Sequence, residues 1–197
     1  MNRFRLSIAV AVAALGILGA QAAFATTVQK LSLQDLAKRS DSIVMAKVSD
    51  VTSSWDAGHK EIYTSISLQI VNPVKGRKGE STVTLRQIGG TVGNIASIVP
   101  GMPRFTVGEE VVVFLTQKDA SGYPWVMGLQ QGKYSIVEKN GAKFVRNDLA
   151  DTQLVLNGKK AQSVTSPDQP LGAFLDGIKT QLNVPGKIQV DPNPPTE

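Results

Sequence analysis

The sequence predicts a mainly β, antiparallel domain, a small barrel or sandwich, and three observations carry this prediction. Residues 105–115 form the densest apolar run after the N-terminal region, and residues 111–115 are apolar on both faces of an extended segment. That pattern is typical of a central strand covered on both sides. Residues 61–71 alternate apolar and polar side chains, as a strand with one face on a core does. Asn140-Gly141 between two short alternating runs indicates a β-hairpin.

Residues 1–25 have the pattern of a secretory signal peptide. Arg3 and Arg5 precede a continuous apolar core at residues 6–18, and an Ala-Phe-Ala cleavage site occupies residues 23–25. The alternative is a membrane anchor, but the apolar run is short for a span and no stop-transfer charges follow it. The sequence therefore predicts an exported protein, periplasmic or extracellular, with no stable membrane insertion after cleavage.

Composition limits the kinds of chemistry available to the exported chain. Cleavage would leave 172 residues and would remove two arginines and no acids, which lowers the formal charge from +5 to +3. Such a mildly basic chain gives no argument for nucleic-acid binding. The chain has no cysteine, which excludes thiol catalysis, cysteine–zinc sites and iron–sulfur clusters. A chain of this length can bury enough apolar surface for one hydrophobic core to stabilise its fold.

The predicted domain covers residues 26–184 and the elements follow in order. Ser32 and Asp35 are spaced as a capping box, which predicts a short N-terminal helix. Strands are expected at residues 42–51, 61–71 and 81–87 as an antiparallel meander, with a basic turn at 72–79. After the central strand, short strands are expected at residues 125–129, 133–137, 143–146 and 153–156.

A C-terminal amphipathic helix is predicted by apolar residues that recur at helical spacing: Leu171, Phe174, Leu175, Ile178 and Leu182. Pro167-Asp168 precedes this pattern and is typical of the start of a helix, and Pro185 ends the pattern. We interpret residues 185–197, which are rich in proline and have little to bury, as a flexible tail.

The order of short motifs resembles a known family. A helix leads into Ser-Ile-Val-Met-Ala-Lys-Val at residues 42–48, and Ile-Tyr-Thr at 62–64 opens a strand that closes on Val-Lys-Gly at 74–76. Val-Thr-Leu at 83–85, a long loop and Phe-Thr-Val-Gly-Glu-Glu at 105–110 follow. Over residues 32–117 this layout resembles the netrin-like module of the tissue inhibitors of metalloproteinases and their bacterial relatives, and a group of uncharacterised exported bacterial proteins. The resemblance implies an OB-type barrel.

One departure limits what the resemblance implies about function. The inhibitors of that family chelate the protease zinc through an N-terminal cysteine. The predicted mature N-terminus here is Thr26-Thr27-Val28, so no residue can take the role of that cysteine. The inhibitory mechanism is therefore not carried over.

The loop at residues 89–102 is the candidate partner-binding segment. Few compact domains keep a loop of this length without a functional or packing role. Its apolar side chains either pack across one end of the barrel or form a surface that binds a protein partner. These side chains are Ile95, Ile98, Val99 and Met102.

Candidate catalytic residues are few. His59 is the only histidine and lies in a polar loop near Asp56, which leaves open a hydrolase built on that pair or, more simply, a solvated loop. No nucleophile motif, phosphate-binding loop or metal-ligand cluster is present. Exposed aromatic residues suggest a second possibility, a module that binds carbohydrate or an envelope polymer: Trp55, Tyr63, Tyr123 and Trp125. The leading hypothesis is an exported, non-enzymatic binding module without a cofactor, which engages a protein partner such as a protease.

Overall fold

A computed structural model of the chain describes residues 27–147, 149, 153–156, 159–161 and 167–183. The predicted signal peptide at residues 1–25 and the predicted tail at 185–197 lie outside the described residues.

Seven strands form one sheet in which every neighbouring pair is antiparallel. Its strands are β2 (Ser42–Trp55), β3 (Ile62–Lys75), β4 (Thr82–Ile88), β7 (Glu110–Leu115), β8 (Lys133–Lys139), β9 (Ala142–Arg146) and β12 (Gln169–Pro170). Their spatial order is β12-β9-β8-β7-β2-β3-β4. Within the described part of the chain the sheet does not close, because β12 and β4 are its two edges. The mainly β antiparallel fold is thus confirmed, and the barrel stays a prediction.

Two smaller sheets complete the strands. Gly90–Val92 (β5) and Ile95–Ser97 (β6) pair as a hairpin inside the predicted long loop. Thr27–Gln29 (β1) pairs in parallel with Gln153–Leu156 (β10), which pairs in turn with Lys159–Ala161 (β11). The strand predicted at residues 153–156 is confirmed, whereas the parallel pair was not expected.

The central position of β7 explains its composition. It lies between β2 and β8, and all five residues from Val111 to Leu115 are buried. Val112 and Phe114 face a cluster that includes both helices, and Val111, Val113 and Leu115 face the opposite cluster. We call these two sides of the sheet the helix face and the groove face. The prediction of a central strand that is apolar on both faces is confirmed.

Two helices cover the helix face. The first, α1 (Leu33–Arg39), begins as predicted, because Ser32 accepts a hydrogen bond from the Asp35 N–H (3.1 Å) and the Asp35 carboxylate accepts one from the Ser32 N–H (3.0 Å). The second, α2 (Leu171–Asn183), is the predicted amphipathic helix, with Phe174 and Ile178 buried against the sheet.

Charged side chains hold the C-terminus of α1 and the segment that precedes α2. Lys75 Nζ donates to the carbonyls of Ala37 (3.0 Å) and Ser40 (2.5 Å) at the C-terminus of α1, and burial lowers the pKa of this ammonium. Before α2, Arg146 pairs with both carboxylate oxygens of Asp168 at 2.8 and 3.0 Å. The helices are therefore anchored to the sheet at defined points as well as by apolar packing.

Two predicted boundaries are wrong. Strands β2 and β3 continue beyond their predicted ends at residues 51 and 71, as far as Trp55 and Lys75. Pro73 lies inside β3 between two register shifts, where the ladder is irregular and the missing N–H is tolerated. The strand predicted at residues 125–129 is reduced to one bridge at Val126. Gly128 and Leu129 have φ of +67° and +59°, so the backbone leaves the extended region there and enters a 3-10 turn at Leu129–Gly132.

Candidate functional site

A groove opens on the groove face of the sheet, and its floor comes from the distal halves of β2 and β3. Ser53 pairs with Thr64 across the two strands, and Val51 pairs with Ile66. Residues directly opposite each other in a strand pair project to the same side of a sheet. The floor therefore has an apolar part next to the core and a hydroxyl-bearing part further out.

Residues 89–106 cross over this floor, and we call them the flap. The flap begins as the chain leaves β4, where the Gly89 N–H donates to the Ile62 carbonyl at 2.8 Å. The Thr64 hydroxyl donates to the Gly89 carbonyl at 2.6 Å, and the Ser53 and Thr64 hydroxyl oxygens lie 2.9 Å apart. Because Thr64 is only 5% exposed, this short chain of hydrogen bonds is shielded from water and ties the flap to the floor.

Gly90 allows the flap to approach the sheet closely. A Cβ atom at this position would lie 2.3 Å from the Thr64 hydroxyl oxygen and 2.4 Å from that of Ser53. Its φ of +136° is also a backbone conformation that side chains with a Cβ rarely adopt. Glycine is thus required both for space and for backbone geometry.

The distal part of the flap is held by separate contacts. Gln87 Nε2 donates to the Pro103 carbonyl at 3.0 Å, and the Gln130 N–H donates to the Gly101 carbonyl at 3.0 Å. Glu109 then receives the Thr106 N–H through one carboxylate oxygen (3.2 Å). The flap is therefore fixed at both ends and spans the floor between them.

The space between flap and floor measures about 800 Å³. This lies in the range of ligand-binding pockets, roughly 300–1,000 Å³. Arg104, which is exposed and also interacts with other parts of the protein, supplies the one ionisable side chain among the lining residues. The apolar lining consists of Val51, Ile66, Ile88, Ile98, Val99, Met102 and Phe105.

The structure divides the four predicted partner-binding residues. Ile98, Val99 and Met102 all line the groove, and Ile98 is 79% exposed at its rim. Ile95 lies on β6 outside the groove lining and is 54% exposed. The loop therefore packs over the groove through some of these residues and exposes others, and its role in binding a partner stays a prediction.

Asp56 and His59 lie together in the connection between β2 and β3. Asp56 Oδ1 accepts the N–H groups of Lys60 (2.6 Å) and Glu61 (3.2 Å), and these two hydrogen bonds are the main reason why the pKa of Asp56 is lowered. The His59 ring stacks on Trp55 with 6.1 Å between centroids. Both side chains thus have a structural role in a tight connection.

The aromatic residues considered for sugar stacking are engaged by neighbouring side chains. The Arg86 guanidinium lies 4.0 Å from the centroid of the Tyr63 ring, whose hydroxyl donates to Glu61 at 2.8 Å. Trp125 Nε1 donates to Asp119 at 2.8 Å. Tyr123 is half-buried beside Trp125, with its backbone N–H donating to the same Asp119 carboxylate. The Arg86 contact thus occupies one face of the Tyr63 ring, and the hydrogen bond from Trp125 fixes the edge of its indole ring.

Among the described residues, no group of three or more histidine or acidic side chains could hold a metal ion. In the same part of the chain, no helix is long and apolar enough to cross a membrane.

Sequence reasoning missed the hydroxyl-bearing floor of the groove. Ser53 falls in a stretch, residues 52–59, whose polar composition predicts a loop, and Thr64 shares the core-facing side of its alternating run with Ile62 and Ile66, so neither position indicates a groove. The adjacent glycines Gly89 and Gly90 were a usable signal, because paired glycines after a strand indicate close backbone approach.

Comparison with known protein families, with curated proteins and with solved structures finds no significant match to this chain.

Proposed function

We propose that this protein is an exported, non-enzymatic binding module whose groove receives an apolar segment of a protein partner in the periplasm or outside the cell. The single observation that carries the proposal is an apolar groove of about 800 Å³ with a highly exposed isoleucine at its rim. Exposed large apolar side chains beside a concave site are typical of recognition surfaces. An OB-type closure of the sheet is the finer fold that we propose for this module.

The polar clusters of the described residues support a binding role over a catalytic one. Ser135 Oγ lies 3.1 Å from Lys133 Nζ, a pairing that could activate a serine if the lysine accepted its proton. Glu109 instead pairs with the same ammonium at 2.6 Å and accepts the serine hydroxyl at 2.5 Å. Because Glu109 also holds Thr106, this cluster fixes the base of the flap.

Site-specific photo-crosslinking in cells that export the protein tests the proposal. A crosslinking amino acid replaces Ile98 in one strain and Val71 in a second. Val71 is the matched control, because it is 58% exposed on β3 and does not line the groove. We expect one partner, identified by mass spectrometry, to be captured from position 98 and not from position 71.

The purified partner is then titrated with three proteins: the unmodified one, Ile98→Asp and Val71→Asp. We expect Ile98→Asp to weaken binding at least about tenfold, because a charge replaces an apolar side chain at the rim, whereas Val71→Asp leaves the affinity unchanged. Equal effects of the two substitutions, or capture from both positions, would show that the groove is not the binding site.

A further inference from the structure

Strand β6 leaves its outer edge without a strand partner. Within the described residues it pairs only with β5, with Val92 opposite Ile95, Thr91 opposite Ala96 and Gly90 opposite Ser97. In a hairpin with a two-residue turn, the two residues next to the turn are hydrogen-bonded to each other through their backbones. Hydrogen-bonded and non-hydrogen-bonded pairs alternate along an antiparallel ladder, so the next pair, Thr91 and Ala96, is a non-hydrogen-bonded one. The N–H and C=O of Ala96 therefore point away from β5.

This edge is accessible. Ile95, Ala96 and Ile98 are all exposed, and no backbone hydrogen bond from Ala96 to another part of the described chain is present. An exposed and unpaired strand edge is a template on which another chain can add a strand.

The edge also lies directly beside the groove. Ser97 lies on the same side of the hairpin as Gly90, which approaches the floor, and both residues line the groove. A strand added next to β6 would continue this small sheet, so every second side chain of the added strand would project to the groove side. Main-chain hydrogen bonds would then supply affinity, and the groove would select the alternate side chains.

The charge of the lining constrains the sequence of such a segment. Arg104 is the one ionisable residue in the lining, and it is a cation. A guanidinium carries five N–H donors, so it can bind a carboxylate in addition to its contacts within the protein. Side chains that enter the groove are therefore expected to be uncharged, with an acidic residue where the segment passes Arg104.

We propose that the partner of this module binds as an extended strand added to the free edge of β6, with alternate apolar side chains in the groove and an acidic residue at Arg104. This inference rests on the proposed function, since it specifies how the same site recognises a protein segment. It commits to an extended polypeptide as the occupant, because a small apolar ligand would make no use of the exposed backbone edge.

The test begins with random decapeptides displayed on phage, selected on the full exported chain and counter-selected on Ile98→Asp. We expect enriched sequences in which apolar residues alternate with small or polar ones and in which aspartate or glutamate recurs at one position. The best decapeptide is then synthesised in two N-methylated forms, one methylated at odd and one at even positions. Methylation of the N–H groups that face β6 should weaken binding at least about fivefold, which corresponds to the loss of one main-chain hydrogen bond. Methylation of the N–H groups that point away from β6 should leave the affinity unchanged.

A protein variant provides an independent measurement. Ala96→Pro removes the outward N–H at a position where the hairpin does not use it, and Thr91→Pro makes the same change on the opposite edge as a control. Only Ala96→Pro should weaken binding of the decapeptide, again by about fivefold or more. If either proline prevented folding, the methylated peptides would still decide the question.

Three results would overturn this inference: no enrichment over Ile98→Asp, equal weakening by both methylation registers, or full affinity in a folded Ala96→Pro protein. They are separable from failure of the proposed function. A partner that is crosslinked at position 98 but is insensitive to Ala96→Pro leaves the proposed function standing and removes only strand addition. Absence of both a crosslinked partner and an enriched peptide removes both.

Discussion

The hydroxyl of Thr64 is expected to hold the flap onto the sheet, and Thr64→Val tests this at nearly constant shape. The substitution removes the hydroxyl that donates to the buried carbonyl of Gly89. It also removes the hydrogen-bond partner of the Ser53 hydroxyl. Because the side chain stays branched and of similar volume, the main loss is the hydrogen bond together with the unpaired buried carbonyl. Leaving one buried polar group unsatisfied costs about 1–3 kcal/mol. For a chain of this length each kcal/mol lowers Tm by roughly 2–4 °C.

The free energy of unfolding is measured by urea titration, with Thr84→Val as the matched control. Thr84 is a half-buried residue of β4, and its side chain makes no hydrogen bond within the described part of the chain, so its replacement should change stability by less than about 0.5 kcal/mol. In a double-mutant cycle, Ser53→Ala should cost less in the Thr64→Val background than alone. If Thr64→Val were no more destabilising than Thr84→Val, the hydroxyl would not hold the flap.

Three further outcomes are expected. Gly90→Ala should destabilise the protein by at least about 1–3 kcal/mol in urea titration, because the added Cβ meets two hydroxyls of the floor in a strained backbone conformation. Gly172→Ala should instead stabilise it by up to about 1 kcal/mol in the same titration, since this helical position has open space around it and alanine is the better helix former. In thermal melts at neutral pH, Asp168→Asn should lower Tm. Arg146 and Lys139 hold the pKa of Asp168 well below its ordinary value of 3.8, so the carboxylate stabilises the native state above that pH. The difference in Tm between Asp168→Asn and the unmodified protein should therefore shrink as the pH falls below 3.8. An unchanged difference down to pH 2 would contradict this assignment.

Local patterns were sufficient to predict much of the fold. The capping box at Ser32 forms because its two hydrogen bonds involve residues three positions apart, and the helix at residues 171–183 follows from apolar side chains at a period near 3.6. Both depend on neighbours along the chain. The central strand was also predictable, because only a position covered on both sides accommodates apolar residues on both faces.

The candidate site was predicted only in part. The loop at residues 89–102 and three of its apolar residues were identified from length and composition, but its hairpin and its floor were not. The predictions for the ends of β2 and β3 failed because polar residues and Pro73 were interpreted as a turn, whereas irregular pairing between the two long strands accommodates them.

The sequence by itself determined where α1 begins, which strand is central and which side chains of α2 face the sheet, because each depends on spacing along the chain. Only the tertiary structure decided that Thr64 meets Gly89, 25 positions later, and that a groove remains between the floor and the flap. The physical reason is that strand register and the bend introduced by register shifts set which distant residues meet, and no local pattern encodes either.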